Sequence, residues 1–222
     1  MSEPSNRQRR KEARPQELLD AALALFVEKG FAATRSEEVA ARAGVSKGTL
    51  YLYFPSKEDL LKSAIRQTLS AEIAEGARIL DAHTGNSSQM LVEVLTDWWV
   101  RIYHSPGSGV FKLAITEMRN FPELAAFYFE EVVQPGCALI ARLVTRGMDS
   151  GEFRRIEPDH VVHSIVMPLI LLCVHKHSLA ACGFAEPTLQ HPAQFIRQHL
   201  LLILEGLRQA QAPATSLKGL PK

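Results

Sequence analysis

TRSEEVAARAGVSKGTLYLYFPSK, residues Thr34 to Lys57, decides the fold of this chain, because it reads as two short helices around a tight turn and the start of a third. Thr34 and Glu37 have the spacing of a capping box, in which the hydroxyl accepts from an orphan backbone N–H and the carboxylate reaches back to the cap. The helix opened there carries Val39, Ala40 and Ala43 on one face and stops at Gly44, where a left-handed terminus costs least. Val45 reads as the buried plug of the turn, and Ser46 as a second cap. Lys47 to Tyr53 then spans about two helical turns, with Leu50 and Phe54 at i and i+4 on the core side. Pro55 ends that helix. Ser56 with Asp59 makes a further capping box and puts Lys57 in the first turn of the next helix.

The residues left outside are Ser46, Lys47, Thr49, Tyr51 and Tyr53. A cation, small hydroxyls and phenols on one short helix suit a nucleic-acid duplex: charge for phosphates, hydrogen bonds for base edges, flat rings against sugars. Gly48 removes a side chain from the same surface and lets the backbone come close. A lysine at a helix N-terminus, as at Lys57, makes a phosphate anchor.

From Ala21 to Ile65 the sequence AALALFVEKGFAATRSEEVAARAGVSKGTLYLYFPSKEDLLKSAI resembles the DNA-binding domain of the TetR/AcrR family of bacterial transcriptional regulators. The resemblance implies DNA contacts from Thr34 at the second helix start, from Ser46, Lys47, Gly48, Thr49, Tyr51 and Tyr53 around the recognition helix, and from Lys57. Arg35-Ser36 departs from the small or apolar residues frequent at that point, and Arg35 is a candidate for an added phosphate or groove contact. The alternative is a helical ligand-binding or protein-interaction adaptor whose helix-turn-helix is vestigial.

A formal charge of +1 over 222 residues excludes a binder that works by bulk charge. The charge is uneven, +3 over residues 1–66 and −2 over the rest, so only the N-terminal part suits a polyanion. Cys137, Cys173 and Cys182 are odd in number and lack C-x-x-C spacing, which reads as free thiols in a reducing compartment. The basic N-terminus lacks the apolar segment of a signal peptide. The most apolar stretch, Ser164 to Val174, falls short of the ~20 residues that span a bilayer, so a soluble, cytoplasmic protein with no membrane partner is expected.

Residues 1–14, with Arg7, Arg9, Arg10, Lys11 and Arg14, read as a disordered basic arm. Pro15 suits the first turn of a helix to Lys29, closed by Gly30. A fourth helix runs from Ser56 to about Leu80 and enters the next domain, where it can act as a lever. The fifth starts at Ser87 or Ser88 and is stopped by Ser-Pro-Gly-Ser-Gly at 105–109. A sixth covers Val110 to Asn120. A seventh covers Pro122 to Ser150, bent near Pro135-Gly136. Pro158 opens an eighth reaching about Cys182, and Pro192 a ninth reaching about Gln211, with a mobile tail over 212–222. Trp98, Trp99, Tyr103, Phe111, Met118, Phe127 and Tyr128 concentrate large apolar groups in the central region, and resemblance to the family places effector binding there. Some of them are expected to line a cavity of a few hundred cubic ångströms, with Glu117 and Glu131 as groups that could balance a cationic ligand if they face inward. Histidines 160, 163, 175 and 177 do not converge on a metal ion. No catalytic constellation and no cofactor motif appears, so no enzyme is expected.

The expectation is an all-α protein of about nine helices, with a three-helix helix-turn-helix domain over 15–62 and a larger effector-binding and dimerisation domain over 63–211. The resemblance further implies a homodimer through the last two helices, a double-stranded DNA operator, and a small-molecule effector that releases it.

Overall fold

The computed structural model describes residues 6–184 and 186–208, with side chains from Arg14 onward. Nine α-helices follow one another among the described residues: α1 Asn6–Lys29, α2 Ser36–Arg42, α3 Lys47–Tyr53, α4 over 57–82, α5 over 87–104, α6 Ser108–Thr116, α7 Pro122–Asp149, α8 Pro158–Lys176 and α9 Pro192–Leu207. The only β-type pairing among them is one bridge between Phe153 and Arg208.

α1 begins nine residues earlier than Pro15, which lies inside it. The upstream Asn-Arg-Gln-Arg-Arg-Lys-Glu-Ala-Arg run consists largely of good helix formers, and helix propensity there outweighs the stop that a proline usually imposes. The basic side chains at 7, 9, 10 and 11 and the tail over 212–222 lie outside what is described. α6 ends at Thr116 rather than Asn120, and a separate 3-10 turn covers Met118–Asn120. α8 ends at Lys176, short of Cys182. α9 ends at Leu207, because the chain there leaves the helix to pair with residues 153–154.

Two internal prolines each free one carbonyl, and a side chain from a neighbouring helix takes it. Pro135 has no N–H for the carbonyl of Glu131. Ser70 Oγ of α4 donates to that oxygen at 3.3 Å. The preceding turn of α7 relaxes into a π-turn at Phe129–Val133. Pro168 in α8 likewise frees the carbonyl of Ser164, and His199 Nε2 of α9 donates to it at 3.1 Å. These prolines therefore mark where helices cross.

The α1–α3 unit closes on Leu18, Ala22, Phe26, Phe31, Val39 and Leu50, all buried. α4 continues from it into the larger bundle, and Gly76 lies where α4 crosses α5 and α7. A Cβ there would sit 2.8 Å from Leu139 Cδ2 and 3.3 Å from Trp98 Cε2.

Pro122–Asp149 and Pro158–Cys182, with mean hydropathy of 1.2 and 1.7 over an 18-residue stretch of each, are long and apolar enough to cross a membrane by length and composition. The eleven-residue reading of Ser164–Val174 therefore understated the apolar helix. In this fold α7 packs Leu139, Ile140, Leu143 and Val144 into the bundle and α8 packs Val161, Val162, Ile165 and Leu169, while the rest of each apolar stretch is more open, with 28% and 22% of the respective stretches buried.

Candidate nucleic-acid interface

Ser46 caps α3, accepting from the Thr49 backbone N–H at 3.1 Å, and its hydroxyl also meets Thr49 Oγ1 at 2.9 Å. With Leu50 fully buried against α2, the opposite side of the helix is set by 3.6-residue periodicity. Gly48 and Leu52 lie there, each roughly 160° round from Leu50, flanked by Thr49 and Tyr51. Leu52 is 83% exposed and Tyr51 41%. Lys47 reaches the edge of this crest, where it ion-pairs with exposed Glu37 at 2.5 Å and sits 5.8 Å from the Tyr51 ring centroid. That hydrogen bond raises the Lys47 pKa and lowers that of Glu37. Both groups are open to water, so the lysine is available to a phosphate. Gly48 has nothing but Ser46 Oγ, at 3.8 Å, near the position of a missing Cβ. No packing inside the protein requires a glycine there.

Arg35, Ser46, Lys47, Gly48 and Tyr51 are exposed, and Thr49 and Tyr53 half-exposed. Tyr53 also packs against the small core. Two expected contacts go elsewhere. The Thr34 side chain is buried, with its hydroxyl donating to the carbonyls of Gly30 at 2.7 Å and Leu25 at 3.3 Å. The capping carboxylate is Glu38, which accepts from Arg35 N–H at 3.1 Å, so the box is shifted by one residue and α2 starts at Ser36. Lys57 turns inward: its ammonium donates to the carbonyls of Phe31 at 2.8 Å and Thr34 at 3.2 Å and lies 4.4 Å from the Phe31 ring centroid. It satisfies carbonyls of the loop after α1, which have no helical partners. Lys57→Met is expected to cost about 1–3 kcal/mol in urea unfolding, while leaving unchanged the salt dependence of any DNA binding by the folded protein. A lowered salt slope would return Lys57 to the phosphate contacts.

Leu52 is not among the outward residues picked out from the sequence, although it is 83% exposed. The signal was its angle, 200° from Leu50 by the helical period.

In the larger bundle a cavity of about 70 Å³ is walled by α4, α5, α6, α7 and α8. Trp98, Trp99, Phe111 and Tyr128 line it, together with Ile102 and Cys137. Trp98 Nε1 donates to the Glu72 carbonyl at 2.9 Å. Burial raises the Tyr128 pKa above the ordinary phenol value. The cavity is smaller than expected because these rings fill most of the space. Met118, Phe127 and Tyr103 lie away from it. Met118 is buried in the 3-10 turn after α6, Phe127 packs beneath Lys62 and Arg66, and Tyr103 packs beneath Lys176. Glu117 and Glu131 do not face it either. Glu131 pairs with Arg66 at 3.1 Å and Glu117 accepts from Ala32 N–H at 3.2 Å.

The family model for "Bacterial regulatory proteins, tetR family" matches residues 18–64. The uncharacterized HTH-type transcriptional regulator YfiR of Bacillus subtilis (strain 168) is 30% identical over 153 residues, 67% of this chain and 72% of that protein. The chain belongs to the TetR family. It is accordingly a DNA-binding transcriptional regulator with the two-domain, all-α TetR-type fold. The HTH-type transcriptional repressor KstR2 of Mycolicibacterium smegmatis (strain ATCC 700084 / mc(2)155) is 24% identical over 202 residues, 90% of this chain and 93% of that one. Among solved structures, the regulator FadR from Bacillus subtilis in complex with stearoyl-CoA aligns with a TM-score of 0.70 at 19% identity, covering 87% of this chain and 99% of that one.

Where α6 starts beside the end of α8, a set of polar groups is wholly or partly buried. Ser108, fully buried, meets His177 Nε2 at 2.8 Å, and Lys176 donates to the Tyr103 carbonyl at 2.5 Å. Burial, then the charges of Lys176 and Lys112, push His177 from its ordinary 6.5 down to about 4. The folded state thus binds the proton less well than the unfolded chain. This contribution to stability is complete above about pH 6.5 and is lost as the pH falls toward 4. His177→Gln is expected to flatten the melting-temperature profile in that window; a profile parallel to wild type would show that other groups govern it. Burial raises the Cys137 thiol and pushes Cys173 up to about 12, so neither is poised as a thiolate.

Proposed function

We propose that this TetR-family regulator is a cytoplasmic, dimeric repressor that binds a near-palindromic operator and is released by a small apolar or amphipathic effector. Residues 15–62 would form the DNA-binding unit and 63–211 the effector-binding and dimerisation unit. The observation that carries this reading is the crest of α3. An exposed cation, hydroxyls and a tyrosine flank a glycine that the fold does not need, and this suits a helix laid on base edges. The contacts proposed are Arg35, Ser46, Lys47, Gly48, Thr49, Tyr51 and Tyr53, with Leu52 added as an apolar group of the kind that meets a thymine methyl.

Dimerisation through α8 and α9 is supported by large apolar groups left uncovered on both: Met167 is 58% exposed, Leu171 63% and Leu202 72%. Two such faces suit an isologous four-helix contact, which would set the recognition helices about 34 Å apart or at a near multiple. The repressor role is the one named for KstR2, and for the effector the apolar lining of the cavity is in keeping with the stearoyl-CoA held by FadR. At about 70 Å³ the cavity must widen to admit such a molecule, and that movement is what a ligand-driven change of state requires.

The test is a fluorescence-anisotropy titration of the full chain against a duplex selected from a randomised library, at several salt concentrations. Wild type is expected to show affinity falling steeply with salt, and Lys47→Ala a log–log slope shallower by about one. Indifference to every duplex at low ionic strength overturns the reading.

A further inference from the structure

α6 reaches back onto the DNA-binding unit with two opposite charges. Lys112 Nζ donates at 2.9 Å to the carbonyl of Val27 in the last turn of α1. Just past the end of α6, the carboxylate of Glu117 accepts from the N–H of Ala32, in the loop after α1, at 3.2 Å. The cation meets the negative end of one helix and the anion meets an amide with no helical partner, so each charge is matched by backbone dipoles.

Glycines make room for both contacts. A Cβ on Gly109 would lie 2.3 Å from Val27 Cγ2, and one on Gly30, where φ is +91, would lie 2.7 Å from Glu117 Oε1. Beside them Phe31 packs edge-on against Phe121 at 4.9 Å. α4 is the covalent connection between the two units. Its packing on α1 at one end and on α7 further along ties the two units along one axis. A second attachment away from that axis fixes the angle.

The geometry points to Lys112 and Glu117 as positioning residues for operator recognition, a role that rests on the dimeric DNA-binding reading above. Both are engaged with α1 and the loop after it rather than with the crest of α3. Through α1, and α2 packed between α1 and α3, they hold the recognition helix at the angle from which two protomers fit one half-site spacing.

The experiment uses the duplex selected by the full-length wild type and two versions with one base pair added to or removed from the spacer between half-sites, titrated by anisotropy. Wild type is expected to lose affinity roughly tenfold or more on either altered spacer, since one base pair rotates a half-site by about 35°. Glu117→Ala and Lys112→Met are expected to reduce that penalty to about threefold or less. Glu117→Gln, whose amide oxygen still accepts from Ala32 N–H, retains the wild-type penalty. Gly109→Ala wedges the same joint open without touching either charge, and its penalty is expected to shrink like those of the charge variants. Urea unfolding monitors the fold of each variant. A uniform weakening on all three duplexes, with the spacer penalty intact in the Glu117, Lys112 and Gly109 variants, makes these residues structural only and overturns the inference. Failure of wild type to bind any duplex is a different result: the DNA-binding reading itself fails and takes the clasp with it.

Discussion

Gly48→Ala is expected to stabilise the protein and disable it at once. The position is helical with ordinary φ, and a methyl group there meets nothing closer than Ser46 Oγ at 3.8 Å. Replacing glycine by alanine in a helix restricts the unfolded chain and gains roughly 0.5–1 kcal/mol. On the crest of α3, however, the same methyl would occupy the space through which the backbone is proposed to near the base edges. Overpacking of a close contact costs roughly 1–3 kcal/mol, so operator affinity is expected to fall about tenfold to a hundredfold while the melting temperature rises. Thermal melts and anisotropy titrations on the same preparation separate the two effects. A variant that is more stable and binds as before would mean that DNA does not approach at Gly48.

Phe153→Ala is expected to be the most damaging single change to the larger domain. The ring is 1% exposed and lies directly under Gly147 of α7, where a Cβ would come within 2.2 Å of Phe153 Cδ2. The residue also begins the short segment that anchors the end of α9. Phe153 N–H donates to Gly147 O at 2.9 Å, Arg154 N–H to Leu207 O at 2.8 Å and Arg154 Nε to Gly206 O at 2.7 Å. Removing a fully buried phenylalanine costs about 3–5 kcal/mol. Because α9 is one of the two helices proposed for the dimer, the variant is expected to dissociate at protein concentrations where wild type stays paired. Urea unfolding and sedimentation velocity measure the two losses. A change under about 1 kcal/mol, with the dimer intact, would show that the anchoring hydrogen bonds alone hold α9.

Much of the architecture was legible because it is written in interactions over three or four residues. Ser46 and Ser56 cap the helices they were expected to cap, Gly30, Gly44 and Gly151 take positive φ where helices end, and Pro122, Pro158 and Pro192 open theirs. Leu50 and Phe54 face inward as their spacing requires. What the sequence leaves unread has a different range. Lys57 stands at a helix start, where a lysine suits a phosphate, yet its carbonyl partner Phe31 is 26 residues away. Glu117 holds Ala32 across 85 positions. Such pairings leave no periodic trace.

From sequence alone came the nine helices, the helix-turn-helix and the outward set on α3, because caps, glycine terminators and the helical period act locally and need no neighbours. Only the tertiary structure decided that Thr34 and Lys57 serve the fold. It also decided that four of seven candidate side chains line the cavity and that α6 grips the end of α1. The physical reason is that a side chain with several possible partners chooses among them by what packing brings within about 3 Å. That choice belongs to the assembled bundle and to no single helix.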